Sequence, residues 1–348
     1  MVLGKQEVLA ELLTKELKPY VKKIDQDAFY AENFLRRLGE AGLLSSGDRS
    51  QSEVVSDGLY LVRETAEICM TTAFCLWCHL AALTYVRTTE NERLKADLLP
   101  SLEDGSLLGA TGLSNPMKHY AGLENLHLKA KRTPGGYLVS GVLPAVSNLG
   151  RDHVFGAIAG LNDQQQIMMV ISCDSPGLTF KEKTDYLGLN GSATFSCSLR
   201  EVFIAEDRIL SEEADAFVAN IRPTFIAYQI PLGLGVTDAS VRSIEKTANR
   251  QNGCNQYLPV QAPELQRKRT ELEYQLLSLI SKESVDWKEV ARIRLSAAYL
   301  TLESVQADML HNGSSAYQRA SAPARRLREA YFFANLTPTI KHLEKVLI

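Results

Sequence analysis

Long apolar runs are missing from this 348-residue sequence. None reaches the roughly 20 residues needed to cross a bilayer, which excludes a helical membrane protein. A strong charge of either sign is also missing. The net charge is −3, so nothing marks a surface for nucleic acid or an anionic membrane. Cysteine is scarce, with six in the whole chain, too few for a disulfide framework. The apolar settings of these cysteines point to reduced thiols in a cytoplasmic protein. The opening Met1-Val-Leu-Gly-Lys-Gln-Glu-Val meets an acidic residue early and has no apolar h-region, so no signal peptide is expected. What is present is ordinary for a globular chain: 45% hydrophobic and 23% charged residues, enough for a sizeable core. The length fits two or three domains, or one large one.

One cysteine pattern carries a specific chemistry. Cys75-Leu-Trp-Cys78-His79 matches the Cys-x-x-Cys-His of covalent haem attachment. It sits inside Ile68 to Leu83, an apolar stretch that reads as a buried helix. Haem attachment needs exposed thiols and an exported chain, whereas free cysteine packs well as a small hydrophobe. The core reading is preferred. No second ligand pair stands at zinc spacing.

Periodicity divides the chain into three. Apolar residues recur at helical spacing over residues 1–106, as in Val8, Leu9, Leu12, Leu13, Leu17 and Val21. Val54 to Thr88 reads as two helices around a Met70-Thr-Thr turn, or one bent helix. Residues 107–212 alternate apolar and polar in short runs separated by Gly, Pro, Asn and Asp. Leu126-His-Leu-Lys-Ala-Lys, a Thr133-Pro-Gly-Gly turn and Tyr137-Leu-Val-Ser are the clearest. Residues 213–348 return to helical spacing in four segments: Ala214 to Thr247, Ala262 to Ser281, Trp287 to Asn312 and Ala322 to Ile348. The expected fold is an α+β multidomain chain. It has an N-terminal helical domain, a small central β-barrel or sandwich and a C-terminal four-helix bundle.

Several short motifs then line up. Leu98-Leu-Pro-Ser-Leu-Glu-Asp-Gly precedes Ala110-Thr-Gly-Leu-Ser-Asn-Pro, and Val146-Ser-Asn follows. Later come Leu187-Gly-Leu-Asn-Gly-Ser-Ala-Thr and Glu201-Val-Phe-Ile-Ala-Glu-Asp-Arg-Ile-Leu. In order and spacing these resemble the acyl-CoA dehydrogenase superfamily, and its flavin-holding β-domain above all. The resemblance implies FAD. It places Leu113 and Ser114 against the isoalloxazine and puts Ser147 where the family has a threonine. Backbone amides and small hydroxyls suit the ring edge, because they donate without blocking its faces. In the bundle the resemblance gives Arg250 and Gln261 to the FAD pyrophosphate of a neighbouring subunit, with Gly313 in the family's glycine-rich turn. A homodimer or homotetramer follows. An arginine fork suits a diphosphate, although a solvated helix-end arginine reads the same way.

The departures bear on activity. The dehydrogenase reaction needs a carboxylate base within reach of the substrate α-proton. The stretch matching the family's glutamate is Leu336-Thr-Pro-Thr339, and the alternative position falls near Pro223; neither carries a carboxylate. Thr337 aligns with the base position. The flavin-flanking tryptophan is Ala145, and two glycines of the glycine-rich turn are Ser314 and Ala316. Close approach of a pyrophosphate is harder without them. Glu212, Glu213 and Asp215 read as helix N-terminal charges, and Glu329 and Glu344 as surface or ion-paired. His119, His153 and His342 are the other titratable groups able to act as a base. Each has a structural reading too, with His153 capping a strand and His342 facing solvent.

Three functions stay open. One is an FAD-dependent oxidoreductase acting on a CH–CH bond of an acyl thioester or other small hydrophobic substrate, with an electron-transfer partner. Another is a flavin monooxygenase of the same superfamily, served by a flavin reductase. The third is a non-catalytic scaffold that keeps the fold.

Overall fold

The computed structural model describes Met1, residues 3–162 and residues 164–348. Six helices come first: α1 (Leu3–Leu12), α2 (Val21–Gln26), α3 (Glu32–Glu40), α4 (Gln51–Ile68), α5 (Met70–Thr88) and α6 (Glu92–Glu103). α4 starts on a capping box. Ser50 accepts from the Glu53 amide while the Glu53 carboxylate accepts from the Ser50 amide. The break before α5 falls at Cys69, which is extended, one residue ahead of the expected Met70 turn.

Every residue of α5 from Met70 to Val86 is buried, so the helix runs through the core with no solvent face. Cys75, Cys78 and His79 therefore belong to packing rather than to haem. Burial pushes both thiols up, which keeps them protonated. The His79 ring ties three elements together. Nδ1 accepts from the Gly109 amide at 2.9 Å and Nε2 donates to Leu102 O at 2.9 Å.

The expected central β-domain is built on one mixed eight-stranded sheet. Its strands are β1 (Gly109–Thr111), β2 (Leu128–Thr133), β3 (Gly136–Val146), β4 (Val154–Gly160), β5 (Gln166–Ser172), β6 (Leu178–Glu182), β7 (Phe195–Ala205) and β8 (Ile209–Ser211). The order is β6-β7-β3-β2-β4-β5-β8, with β1 beside β4. β2 and β3 form a hairpin through Pro134-Gly135, where Gly135 takes φ +77° and so needs no Cβ. A short helix, α7 (Ser114–Tyr120), follows β1. The sheet has its own core, built on Tyr137, Phe155, Met169 and Val202.

The C-terminal third holds α8 (Ala214–Ala227), α9 (Ile230–Thr247), the single turn α10 (Arg250–Gly253), α11 (Ala262–Ile280), α12 (Trp287–Asn312), α13 (Ala322–Asn335) and α14 (Ile340–Val346). Two of the four expected segments are split. Ala214 to Thr247 breaks just before Pro231, which has no amide hydrogen to give. Ala322 to Ile348 breaks over Leu336–Thr339. A buried Arg326–Asp308 pair joins α13 to α12, and Arg269–Asp238 joins α11 to α9. One core runs from Phe34 and Leu76 through Phe225 and Leu232 to Val290 and Phe333, so the helices of both ends pack together. No helix among the described residues is long and apolar enough to cross a membrane.

Candidate active site

A cavity of about 500 Å³ opens where the sheet meets α5, α8 and α13. Its two walls differ. Hydroxyls of Thr111, Ser114, Ser147, Ser192 and Thr194 line the sheet side. Phe74, Trp77, Phe225 and Phe332 line the helix side.

The hydroxyl wall is built by backbone irregularity. The β3–β7 register shifts between Leu143 and Val146, and such a bulge re-aims the strand end that carries Ala145 and Ser147. Asn148 follows in the left-handed region at φ +63°. Three bonds hold it there: Tyr30 Oη donates to its Oδ1 at 2.7 Å, its Nδ2 donates to Gly109 O at 2.9 Å, and its amide to Ser192 O at 2.9 Å. Leu189 and Ala193 also have positive φ, flanking a tight turn. Three such non-glycine residues beside one cavity cost energy that the surroundings must offset, a pattern found at ligand sites. Ser147 Oγ then lies 2.7 Å from Thr194 Oγ1, which lies 2.8 Å from Ser192 Oγ. Buried Tyr85 fixes the Thr111 hydroxyl at 2.7 Å.

The aromatic wall is rigid. Phe74 stacks on Trp77 at 5.6 Å and meets Phe332 edge-on at 4.7 Å; Trp77 meets Phe225 edge-on at 5.0 Å. Trp77 Nε1 donates to Phe225 O at 3.1 Å. The break after α13 brings Leu336 and Thr337 to the rim, where Thr337 Oγ1 lies 3.1 Å from Ser114 Oγ.

The lining is almost without charge. It contains no carboxylate and no imidazole among the described residues. Its one guanidinium, Arg328, is held by both oxygens of Asp25 at 2.7 and 2.6 Å. The Cys78 thiol is held protonated by burial.

Of the residues singled out from sequence, Ser114, Ser147 and Thr337 converge on this cavity. Leu113 lies behind it, fully buried, with its amide on Thr111 Oγ1 at 3.3 Å. His119 packs outside the lining, its Nδ1 3.2 Å from Glu124 O. His153 is buried behind Asn148, with Nδ1 2.9 Å from Asn148 O. His342 faces the interior, contrary to the solvent-facing reading, because the turn after α13 folds α14 back onto the bundle. Glu329 is buried rather than at the surface, paired with Arg325 at 2.8 Å. Glu212 accepts from Tyr137 Oη at 2.7 Å, and Glu344 from Tyr299 Oη at 2.7 Å.

Arg250, Gln261 and Gly313 gather elsewhere, at one end of the bundle. Asn255 joins their loops by donating to Thr247 O and His311 O, and Gln261 Nε2 donates to Asn255 O and Leu258 O. Exposed Tyr257 and Tyr317 stand at the same end.

Sequence reasoning missed the aromatic wall and the roles of Thr111 and Thr194. The aromatics sit on apolar helices, where a cavity-facing ring and a core ring give the same pattern. Thr194 closes the Leu187-Gly-Leu-Asn-Gly-Ser-Ala-Thr motif, and its hydroxyl is the available signal.

No protein-family model matches the chain. The probable acyl-CoA dehydrogenase YngJ of Bacillus subtilis is 25% identical over 228 residues, 61% of this chain and 58% of that protein. The chain thus spans about three-fifths of the length of this curated relative. Butyryl-CoA dehydrogenase from Megasphaera elsdenii superposes with a TM-score of 0.89 at 16% identity, covering 100% of this chain and 97% of the other. KijD3 in complex with FMN and a dTDP-linked amino-keto sugar gives a TM-score of 0.77 at 19% identity, over 100% of this chain and 93% of the other. The chain shares this fold along its whole length and is similar in sequence, over three-fifths of it, to acyl-CoA dehydrogenases.

Proposed function

We propose that the cavity takes the isoalloxazine of a flavin, FAD by the family pattern, and that the protein is a flavin-dependent oxidoreductase acting on a small apolar substrate. One observation carries this reading: a single cavity with five hydroxyls on one wall and four aromatic rings on the other. That donor set fits a flavin ring, whose heteroatom edge takes hydrogen bonds while its faces want apolar contact. When bound, the flavin supplies the redox chemistry. The chain's own part is to hold the ring edge with Ser114, Ser147 and Thr111, and to exclude water with the aromatic wall.

The one guanidinium in the cavity lining, Arg328, is committed to Asp25, which leaves the pyrophosphate half of FAD no free charged partner there among the described residues. Arg250, Gln261 and Gly313 would serve a neighbouring chain, which makes the working form a homodimer or homotetramer. The exposed tyrosines at that end suit such a contact.

Dehydrogenation of an acyl thioester requires a base, and the groups at the rim are the hydroxyls of Ser114 and Thr337. A neutral hydroxyl is a poor proton acceptor near neutral pH. The carboxylate-free lining therefore favours the monooxygenase-type reading, with electrons delivered by a flavin reductase, over oxidation of a CH–CH bond.

The test is the visible spectrum of the purified protein after incubation with FAD and removal of the excess. Retention of about one flavin per chain supports the proposal. Anaerobic addition of acyl-CoA and, separately, of a flavin reductase with NADH then divides the two oxidoreductase readings. A protein that takes up no flavin would sink both and leave the scaffold reading.

A further inference from the structure

Behind the hydroxyl wall, Glu32, Asp152 and His153 form a cluster that the flavin reading does not use. The His153 ring is fully buried. Its Nδ1 lies 2.9 Å from Asn148 O. A carbonyl only accepts, so Nδ1 carries the hydrogen, and in the neutral ring Nε2 presents a lone pair. That nitrogen has no hydrogen-bond partner among the described residues. It faces Glu32 Oε1 at 3.7 Å and Asp152 Oδ1 at 3.8 Å. These distances are too long for hydrogen bonds, and a lone pair turned toward two carboxylates is repulsive unless a positive charge, a proton on Nε2 or a metal ion, lies between them.

The three ligand atoms lie within 4.8 Å of one another. A triangle of that size puts a central ion roughly 2.2–2.4 Å from each corner, close to the metal–ligand distances of divalent cations.

We infer that Glu32, Asp152 and His153 bind a divalent transition-metal ion of the zinc or manganese class. One imidazole and two carboxylates suit such an ion. The Nδ1–H to carbonyl bond is the outer contact that commonly orients a ligating histidine. The exposed Asp152 side leaves room for water to complete the coordination. The ion would pin α3 to the β3–β4 link and brace Asn148, next to Ser147, from behind. Arg36 competes for the same charges, with Nη2 at 2.7 Å from both Glu32 Oε1 and Asp152 Oδ2. Metal uptake requires that arginine to retreat.

The experiment is calorimetric titration of EDTA-treated full-length protein with ZnCl2 and with MnCl2. It is done in a Cys254→Ser background, because Cys254 is the exposed thiol. Uptake of one ion per chain is expected, with a matching Mn(II) EPR signal. Glu32→Gln/Asp152→Asn should weaken binding at least about tenfold, and Arg36→Gln should tighten it, since the competing cation is gone. These three residues touch solvent, so the variants should fold. No stoichiometric uptake, or uptake unchanged in Glu32→Gln/Asp152→Asn, overturns the site.

Discussion

Ser114 and Thr337 meet hydroxyl to hydroxyl at 3.1 Å, one at the head of α7 and the other just past α13. Their contact lies at the rim of the cavity, at the position that the sequence resemblance gives to a catalytic carboxylate. A loop holds Thr337 there, and the loop is anchored in turn by Gln229 Nε2, which donates to Thr337 O at 2.9 Å.

A carboxylate at position 337 should supply the base that the cavity lining lacks. In flavin-loaded Thr337→Glu, reduction of the flavin by an acyl thioester should speed up by at least about 10²-fold over the wild type, the usual contribution of a placed base. Stopped-flow bleaching of the flavin under anaerobic conditions measures it. Equal rates in the two proteins would show that position 337 does not face the substrate carbon.

Ser147 should matter for holding the ring. Ser147→Ala removes one donor and frees Thr194 from its 2.7 Å contact. Flavin affinity should fall about 5- to 10-fold, the loss of roughly 1 kcal/mol from one hydrogen bond. Fluorescence titration with FAD would read this. Unchanged affinity would place the ring edge elsewhere in the cavity.

Acid should weaken the fold through His79. Burial holds this ring down to about 4, against an ordinary value near 6.5. The folded chain thus refuses a proton that the unfolded chain accepts. Stability is whole above pH 6.5 and is lost as pH falls toward 4, by roughly 3 kcal/mol over the window. His342 is also held below its ordinary value, by burial and by the nearby Arg222, Lys118 and Lys345, and adds in the same direction. Urea midpoints across this range should decline in the wild type and decline less in His79→Gln. Parallel declines would clear His79 of the effect.

Arg294 is a cation buried without a carboxylate. Its Nε donates to Gln229 Oε1 at 3.0 Å, its Nη2 to Phe333 O at 2.7 Å, and its guanidinium lies 3.6 Å from the centre of the Phe333 ring. Desolvation lowers it to about 9. Lysine cannot reproduce the fork or the stacking. Arg294→Lys should cost about 2 kcal/mol in urea unfolding with the slope unchanged. A cost under about 0.5 kcal/mol would mean that these contacts do not hold the end of α13.

Much of this protein is written locally. The 3.6-residue apolar period marks the helices at both ends, and alternation with Gly, Pro and Asn turns marks the strands, because each pattern follows from the geometry of one element. The Thr133-Pro-Gly-Gly turn and the apolar run through Cys75 and Cys78 were equally legible. Ser114, Ser147 and Thr337 could be singled out because they stand in ordered short motifs. Other features depend on residues far apart in sequence meeting in space. The division of the last segment at Leu336, the inward turn of His342, the burial of Glu329 and the aromatic wall from α5, α8 and α13 are of this kind. An apolar helix face looks the same in sequence whether it meets another helix or an open cavity. Only the packing of the sheet against both sets of helices decided which rings line the cavity and which fill the core.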